Sequence, residues 1–369
     1  MRFSLDRESL LRPLQAIQGA LEKRSTRPIL SNILVACTDD RLSVSATDLE
    51  VELVAHVAIE TAESGETTIP GRKFIDICRA LPDGAQMDFK LENNRVLLRS
   101  GRSRFTLNTL PASDYPISDV ATDVTKLSAK QADLKRLLEL TQFAMAHQDV
   151  RYYLNGLMLE TGQHCLRAVA TDGHRLAMAE VAAEVATDGN LLQIIIPRKG
   201  ILELSRLLSS SEDMVELAIS PNSLQVTLPE IRFTSKLIDG RFPDYTRVLP
   251  EEGRCDKEVV AERDAVRQSL LRASILSNEK YRAVRMTLEP GNMRVLAHNP
   301  EQEEAEDLVE VTYTGESLEI GFNVSYLLDA CGAVPTPMVR MYLTDSSSSC
   351  LIKPDGVDDC RYVVMPMKL

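Results

Sequence analysis

Ile69-Pro-Gly-Arg-Lys-Phe-Ile-Asp-Ile-Cys-Arg-Ala-Leu81 and Ile196-Pro-Arg-Lys-Gly-Ile-Leu-Glu-Leu-Ser-Arg-Leu-Leu208 are two copies of one unit. Each reads as a strand end, a proline near a helix start, a basic pair (Arg72-Lys73, Arg198-Lys199) and an amphipathic helix. The copies lie 127 residues apart, and a weaker third, Ile320-Gly-Phe-Asn-Val-Ser-Tyr-Leu-Leu-Asp-Ala-Cys-Gly332, follows after another 124. A second series keeps the period: Phe105 to Pro116, Phe233 to Tyr245, and Tyr362 to the chain end, with Pro116, Pro243 and Pro366 spaced by 127 and 123. A third series is helical, over 6–21, 128–145 and 262–276, each opening on a capping residue or an acidic first turn.

Three series sharing one period imply three homologous domains, 1–124, 125–254 and 255–369. Short alternating runs such as Arg41–Ala46, Val96–Ser100 and Ser223–Leu228 read as strands between the helices. The expected class is therefore α+β, with two helices and antiparallel sheets per domain. Short charged linkers are expected at about 119–126 and 251–257.

The 369 residues carry a net charge of −12, which taken whole argues against a polyanionic partner. Sorting the charge by element reverses the inference. The six repeat helices, taken as 6–21, 71–81, 128–145, 197–208, 262–276 and 323–332, hold 14 basic and nine acidic residues, a net +5, so the remainder carries −17. Lys and Arg also suit helices for propensity alone, but the basic pairs recur at matching repeat positions. A basic face inside an acidic shell is a footprint for phosphate. No zinc-finger spacing, helix-turn-helix signature or RNP pattern is present, so contact with nucleic acid should be to the backbone and independent of sequence.

The ends of the chain are also complementary. Gly101–Leu107 is a basic strand, and Pro300–Asp307 is strongly acidic. Opposite charges in the first and last domains suggest head-to-tail pairing of two chains, which closes into a ring if the rotation permits.

Other classes find little support. The N-terminus has no apolar signal core and no window is long enough to span a membrane, so a cytoplasmic protein is expected. Seven scattered cysteines form no CxxC pair and argue against a zinc site or a disulfide framework. His147, Asp149, Asp172 and His174 have no helical metal-ligand spacing, and no P-loop, G-x-S-x-G or GxGxxG occurs. No catalytic residue, metal or cofactor is expected.

The chain resembles the bacterial DNA polymerase III beta subunit, the sliding clamp, over essentially its whole length. The resemblance is carried by Ala144–Gly156 (AMAHQDVRYYLNG), Ala170–Ala177 (ATDGHRLA), Phe233–Tyr245 (FTSKLIDGRFPDY), Ser277–Lys280, Asn299–Glu306 and the tail Val363-Val-Met-Pro-Met367. It implies a head-to-tail dimer ring around duplex DNA that tethers the polymerase and has no catalytic activity. The partners implied are the polymerase III alpha subunit, the clamp loader, and other polymerases and repair proteins that dock by short linear motifs.

Residue by residue, the resemblance implies a partner-peptide cleft of Leu154, Thr171, Gly173, His174, Arg175, Leu176, Pro243, Arg247, Val248, Asn323, Tyr326, Ser349, Val363, Val364, Met365, Pro366 and Met367. It implies DNA contacts from Arg24, Arg72, Gln148, Tyr152, Tyr153, Arg198 and Lys199. The ring interface would set Phe105 and Leu107 against Ile275 and Leu276, and Lys73, Arg102 and Arg104 against Glu301, Glu303 and Glu304. Thr246, Lys368 and Glu22-Lys23 depart from the family pattern. The alternative reading is a repeat scaffold that binds proteins without encircling DNA.

Overall fold

The computed structural model describes residues 1–22, 26–38, 40–59, 62–118, 124–162, 164–183, 192–250 and 252–368. The chain forms two compact units, Met1–Gln131 with Leu202–Leu237, and Ala132–Ile201 with Ile238–Leu369. The units follow the sheets rather than the repeats.

In the first unit an eight-stranded antiparallel sheet runs Thr125–Lys130, Met214–Ile219, Ser223–Thr227, Ile231–Lys236, Val51–Ala58, Arg41–Thr47, Asn32–Cys37, Gly65–Pro70. Four of its strands come from the second repeat and four from the first, joined where Phe233 pairs with Leu53. The second unit repeats the design. Its sheet runs Gln193–Pro197, Gly156–Thr161, Cys165–Thr171, Arg175–Ala182, Cys360–Val364, Cys350–Pro354, Met338–Leu343, Lys257–Glu262. Here the second and third repeats join where Leu176 pairs with Val363.

Each unit also carries a smaller sheet. In the first it runs Ala62–Glu63, Arg2–Asp6, Gln86–Glu92, Arg95–Ser100, Ser103–Asn108; in the second, Glu304–Glu310, Asn292–His298, Ala283–Glu289, Leu318–Asn323. Ser103–Asn108 and Glu304–Glu310 are edge strands.

Among the described residues six α-helices accompany the sheets: α1 (Arg7–Ile17), α2 (Gly71–Ala80), α3 (Gln131–Thr141), α4 (Arg198–Leu207), α5 (Arg263–Ser274) and α6 (Val324–Ala333). The spacing rule accounts for their buried faces. In α1, Leu10, Pro13, Leu14 and Ile17 are buried, and the Asp6 carboxylate accepts from the Ser9 amide at 2.8 Å to cap the start. In α3 the stripe Leu134, Leu137, Leu138 and Thr141 is buried, with the Thr141 hydroxyl donating to the Leu137 carbonyl at 2.8 Å. Phe74 of α2 packs edge-on to Phe89, which stacks on Phe3 at 4.5 Å.

Two expectations shift. The helices begin later than the capping signals suggest, because strands Thr125–Lys130 and Lys257–Glu262 run directly into α3 and α5, and α1 and α3 end in 3₁₀ turns at Gln18–Ala20 and Gln142–Ala144. The linkers are shorter than expected for the same reason: Thr125, Lys126 and Lys257 already lie in strands. Residues 119–123 and 251 lie outside the described residues. Among the described residues no helix is long and apolar enough to cross a membrane.

Candidate functional site: an apolar cleft in the second unit

The cleft starts from a hairpin turn between strands Cys165–Thr171 and Arg175–Ala182. Thr171 Oγ1 donates to the Arg175 carbonyl at 2.6 Å and accepts from the Gly173 amide at 3.1 Å. Asp172 Oδ1 accepts from the amides of His174 and Arg175 at 2.9 and 3.0 Å. Gly173 takes φ +88°, and a Cβ there would stand 2.9 Å from the Arg151 guanidinium, so glycine avoids both a left-handed penalty and a shift of that side chain.

The tail of the chain lies along this hairpin. Arg175 pairs with Val364, and the Met365 amide donates to the His174 carbonyl at 2.9 Å. Met367 then bridges to Gly321 through a 2.8 Å bond. Asn323 caps α6 by accepting from the Ser325 amide at 2.9 Å, and Ser349 directly precedes strand Cys350–Pro354, whose first residue pairs with Val364.

Four of the residues expected to bind a partner are walled in. Leu154, Leu176 and Val363 belong to one buried cluster with Met158, Met178, Phe242 and Tyr245, and Val364 is fully buried beside it. These form the floor and do not reach solvent. The apolar surface left open is Val248, 44% exposed, and Met365, 43% exposed, with Pro243, His174 and Arg247 exposed at the rim. Methionine suits such a position because its thioether chain adapts to varied apolar partners. Arg247 is held by Asp244 at 2.9 Å.

Arg175 is engaged on three sides within the unit. It donates to Asp172 at 3.1 Å, to Asp329 of α6 and to the Phe143 carbonyl at 2.7 Å, and lies 4.6 Å from the Tyr326 ring centre. His174 stacks on the same Tyr326 ring at 6.3 Å. Arg175 therefore ties the hairpin to α6 and helps to fix the site's shape. Burial raises the Tyr326 phenol above its ordinary pKa, which keeps the ring neutral.

Residue reasoning missed the support beneath the Pro243–Val248 wall. The Tyr245 hydroxyl donates to Glu160 at 3.0 Å and accepts from Arg167 at 2.9 Å, while Arg167 also holds Glu160 at 2.7 Å and Glu180 at 2.9 Å. Glu160 is buried. Burial works against the Arg167 charge, but the bonds to Glu180 and Tyr245 outweigh it and raise its pKa. Burial likewise pushes the Tyr245 phenol up. The signal lay in the repeat of Phe233–Tyr245, where the tyrosine closes the motif. Its partners are far away in sequence and left no local mark.

The expected DNA-contact residues fall in separate places. Arg72 is exposed in the first turn of α2 in the first unit, beside Lys73, which is expected at the ring interface instead. In the second unit Gln148 (φ +57°), Tyr152 and Tyr153 share one tight loop. Asn155 clamps that loop, donating to the Asp149 carbonyl and accepting from the Asp149 amide, both at 2.8 Å. Arg151 holds the Asp149 carboxylate at 2.9–3.0 Å and lowers its pKa to about 2. Asp149 is thus an ion-pair partner, and among the described residues no group of acidic, histidine and cysteine side chains is arranged to hold a metal. Arg198 opens α4 and donates to the Met145 carbonyl at 3.1 Å; Lys199 follows it, half-buried. Arg24 lies outside the described residues.

Of the expected interface residues, Arg104, Phe105, Leu107 and Glu304 lie on the edge strands, with Arg102, Glu301 and Glu303 in the turns before them. Arg102 and Arg104 are exposed and Phe105 is half-buried, whereas Leu107 is buried and pairs with Val96 within its own sheet. On the acidic side Glu301, Glu303 and Glu304 are exposed, and Asn299 holds Glu303 at 2.7 Å. Ile275 is 77% exposed just beyond α5, Leu276 is half-buried, and the apolar Leu308 stands exposed on the acidic edge.

Comparison with known proteins agrees over the full length. Profiles of the DNA polymerase III beta subunit match in order: the N-terminal domain over residues 1–119, the central domain over 128–244 and the C-terminal domain over 246–368. A beta sliding clamp of Pseudomonas putida is 52% identical, and one of Escherichia coli K12 is 50% identical, each match covering all of both chains. The crystal structure of a DNA polymerase sliding clamp from Pseudomonas aeruginosa with ligand superposes with a TM-score of 0.96 at 50% identity, covering all of both chains. A sliding clamp from the same species bound to griselimycin matches at the same identity, coverage and score.

Proposed function

Because the chain belongs to the DNA polymerase III beta-subunit family, we propose that it is a DNA sliding clamp: a non-catalytic ring of two chains around duplex DNA, in the cytoplasm, that holds the replicative polymerase to its template. The observation that carries the ring is the pair of incomplete sheets. Each eight-stranded sheet joins one repeat's last strands to the preceding repeat's first strands. The first repeat's last strands, ending at Ser103–Asn108, and the third repeat's first strands, ending at Glu304–Glu310, have no such complement. Each is half of the same design and ends on an open edge, so two chains related head to tail complete both.

The junction register supports specific contacts. Val363 opposite Leu176 corresponds to Thr106 of one chain opposite Glu304 of the other. Two residues along the antiparallel pair, Arg104 then faces Glu306, adding to the pairs expected between Lys73, Arg102 and Arg104 and Glu301, Glu303 and Glu304. Ile275 supplies exposed apolar surface beside the joint. Exposed ion pairs are worth only ~0.2–1 kcal/mol each, so strand pairing and apolar contact carry more of the affinity.

Duplex DNA would meet Arg24, Arg72, Gln148, Tyr152, Tyr153, Arg198 and Lys199 through its backbone. Weak contacts serve a topological link, since strong or base-specific ones would oppose sliding. The polymerase alpha subunit, the clamp loader and repair proteins would compete for the cleft around Val248 and Met365 by apolar linear motifs. ATP would be consumed by the loader. The non-encircling scaffold is disfavoured by the two open, oppositely charged edges.

Loading onto nicked circular DNA, followed by linearisation, tests the ring. The clamp should co-elute with circles and be lost from linear molecules. Equal retention on both would overturn the reading.

A further inference from the structure

The first unit repeats the loop frame of the second with smaller side chains, and a cavity results. In the second unit the Leu154 amide bonds the Arg151 carbonyl at 2.8 Å, and the Ala146 amide bonds the Leu154 carbonyl at 3.0 Å. In the first, Leu30 bonds Arg27 at 3.1 Å and Glu22 bonds Leu30 at 3.3 Å. The equivalence extends to the facing loop: Ile238 bonds Ile195, and Leu110 bridges Thr68, the same position one repeat earlier.

On this shared frame Tyr152 and Tyr153 become Pro28 and Ile29. The facing loop also shortens, from six residues between Ile238 and Tyr245 to four between Leu110 and Tyr115, and nothing replaces the buried Phe242. In the second unit a Cβ at Gly240 would stand 3.3 Å from the Tyr152 ring, so a tyrosine lies against that loop. In the first unit the corresponding space is a cavity of about 440 Å³ lined mainly by Pro28, Ile29, Leu30, Leu110 and Pro116, with Asp114 in its wall. That volume falls in the range of ligand sites.

We propose that this cavity is a second docking site, which accepts a tyrosine side chain presented by a partner peptide. The frame sets the chemistry, because the same loops hold tyrosine rings in the other copy. The Asp114 carboxylate supplies an acceptor for a phenolic hydroxyl, and the proline and aliphatic walls suit the ring face.

The test uses the full-length protein with labelled Ile and Leu methyl groups. It is titrated separately with the capped tripeptide Gly-Tyr-Gly, with capped Gly-Leu-Gly and with a ten-residue oligo-dT. The tyrosine peptide should move the Ile29, Leu30 and Leu110 methyls saturably by about 10 mM, well above a millimolar dissociation constant. The leucine peptide should bind about fivefold or more weakly, having no hydroxyl for Asp114. Ile29→Tyr, its folding checked by melting temperature, should abolish the response; Asp114→Asn, which leaves the apolar walls intact, should narrow the preference for tyrosine. No saturable shift at these methyls, equal binding of the leucine peptide, or a larger response to oligo-dT would each overturn the proposal.

Discussion

Gly173 and Leu49 occupy the same place in two copies of one turn, at φ +88° and +77°. The surrounding bonds repeat closely: Thr47 Oγ1 donates to the Val51 carbonyl at 2.9 Å, and Asp48 Oδ1 accepts from the amides of Glu50 and Val51 at 2.9 and 2.8 Å. The turns differ in what stands over them. Arg151 closes on Gly173, whereas the first copy tolerates a leucine side chain in the left-handed region. Gly173→Ala should cost about 1–2 kcal/mol, the left-handed penalty for a residue with a Cβ, and should displace Arg151. Melting temperature should fall; an unchanged value would contradict this account of the turn.

Met365 and Val248 are the exposed apolar residues over a buried floor. Met365→Ala and Val248→Ala should each weaken binding of the proposed polymerase linear motif by about 1–2 kcal/mol, the scale of burying one such side chain. That is roughly a five- to thirtyfold rise in Kd, with melting temperature nearly unchanged. Calorimetry decides it, and a loss of stability matching the loss of binding would place these residues in the core instead.

Tyr245→Phe removes one hydroxyl and leaves Glu160 and Arg167 with one partner fewer in a buried setting. A loss of about 1–3 kcal/mol is expected, since an abandoned buried polar group carries its full desolvation penalty. Cleft affinity should fall too, because Tyr245 anchors the Pro243–Val248 wall. A variant with native stability would show that the network does not support the wall.

At the chain joint, Ile275→Ala with Leu276→Ala should give monomers by sedimentation at micromolar concentration. Arg104→Glu should weaken the dimer modestly, and adding Glu306→Arg should restore it if the inferred register holds. A double variant weaker than both singles would reject the register.

Asp149 titrates far below the ordinary carboxylate value of 3.8, at about 2, because Arg151 holds its ionised form. A lowered pKa in the folded state means the contribution is present above 3.8 and is lost as pH falls towards 2. The loop carrying Gln148, Tyr152 and Tyr153 should therefore keep its geometry down to about pH 3, followed by carboxyl chemical shifts. Asp149→Asn should loosen it at neutral pH. A midpoint near 4 would remove the ion pair from the account.

Helices and repeats were legible because their signals are local: apolar residues at i, i+3, i+4 and i+7, and motifs such as Ile69–Leu81 recurring at a fixed period. The proposed partner site came chiefly from the resemblance, which does not separate buried residues from exposed ones. Leu154, Leu176, Val363 and Val364 proved to be floor, and Arg175 proved to be a tie, because burial and multiple pairing depend on partners such as Asp329, 154 residues away. The interleaving of repeats within the large sheets escaped for the same reason, since strand pairing between Phe233 and Leu53 has no sequence-local trace.

That interleaving also decides where the assembly gives way under load. Pulling one repeat from the next would tear the middle of an eight-stranded sheet, breaking a full ladder such as Ile231–Ser235 against Val51–Ala55 at once, with strands on both sides resisting the shear. The proposed joint between chains would be held by bare edges and would fracture without disturbing any complete sheet. A loader would then have one fault line per joint to work on, and after each opening both sides could rejoin with their folds intact.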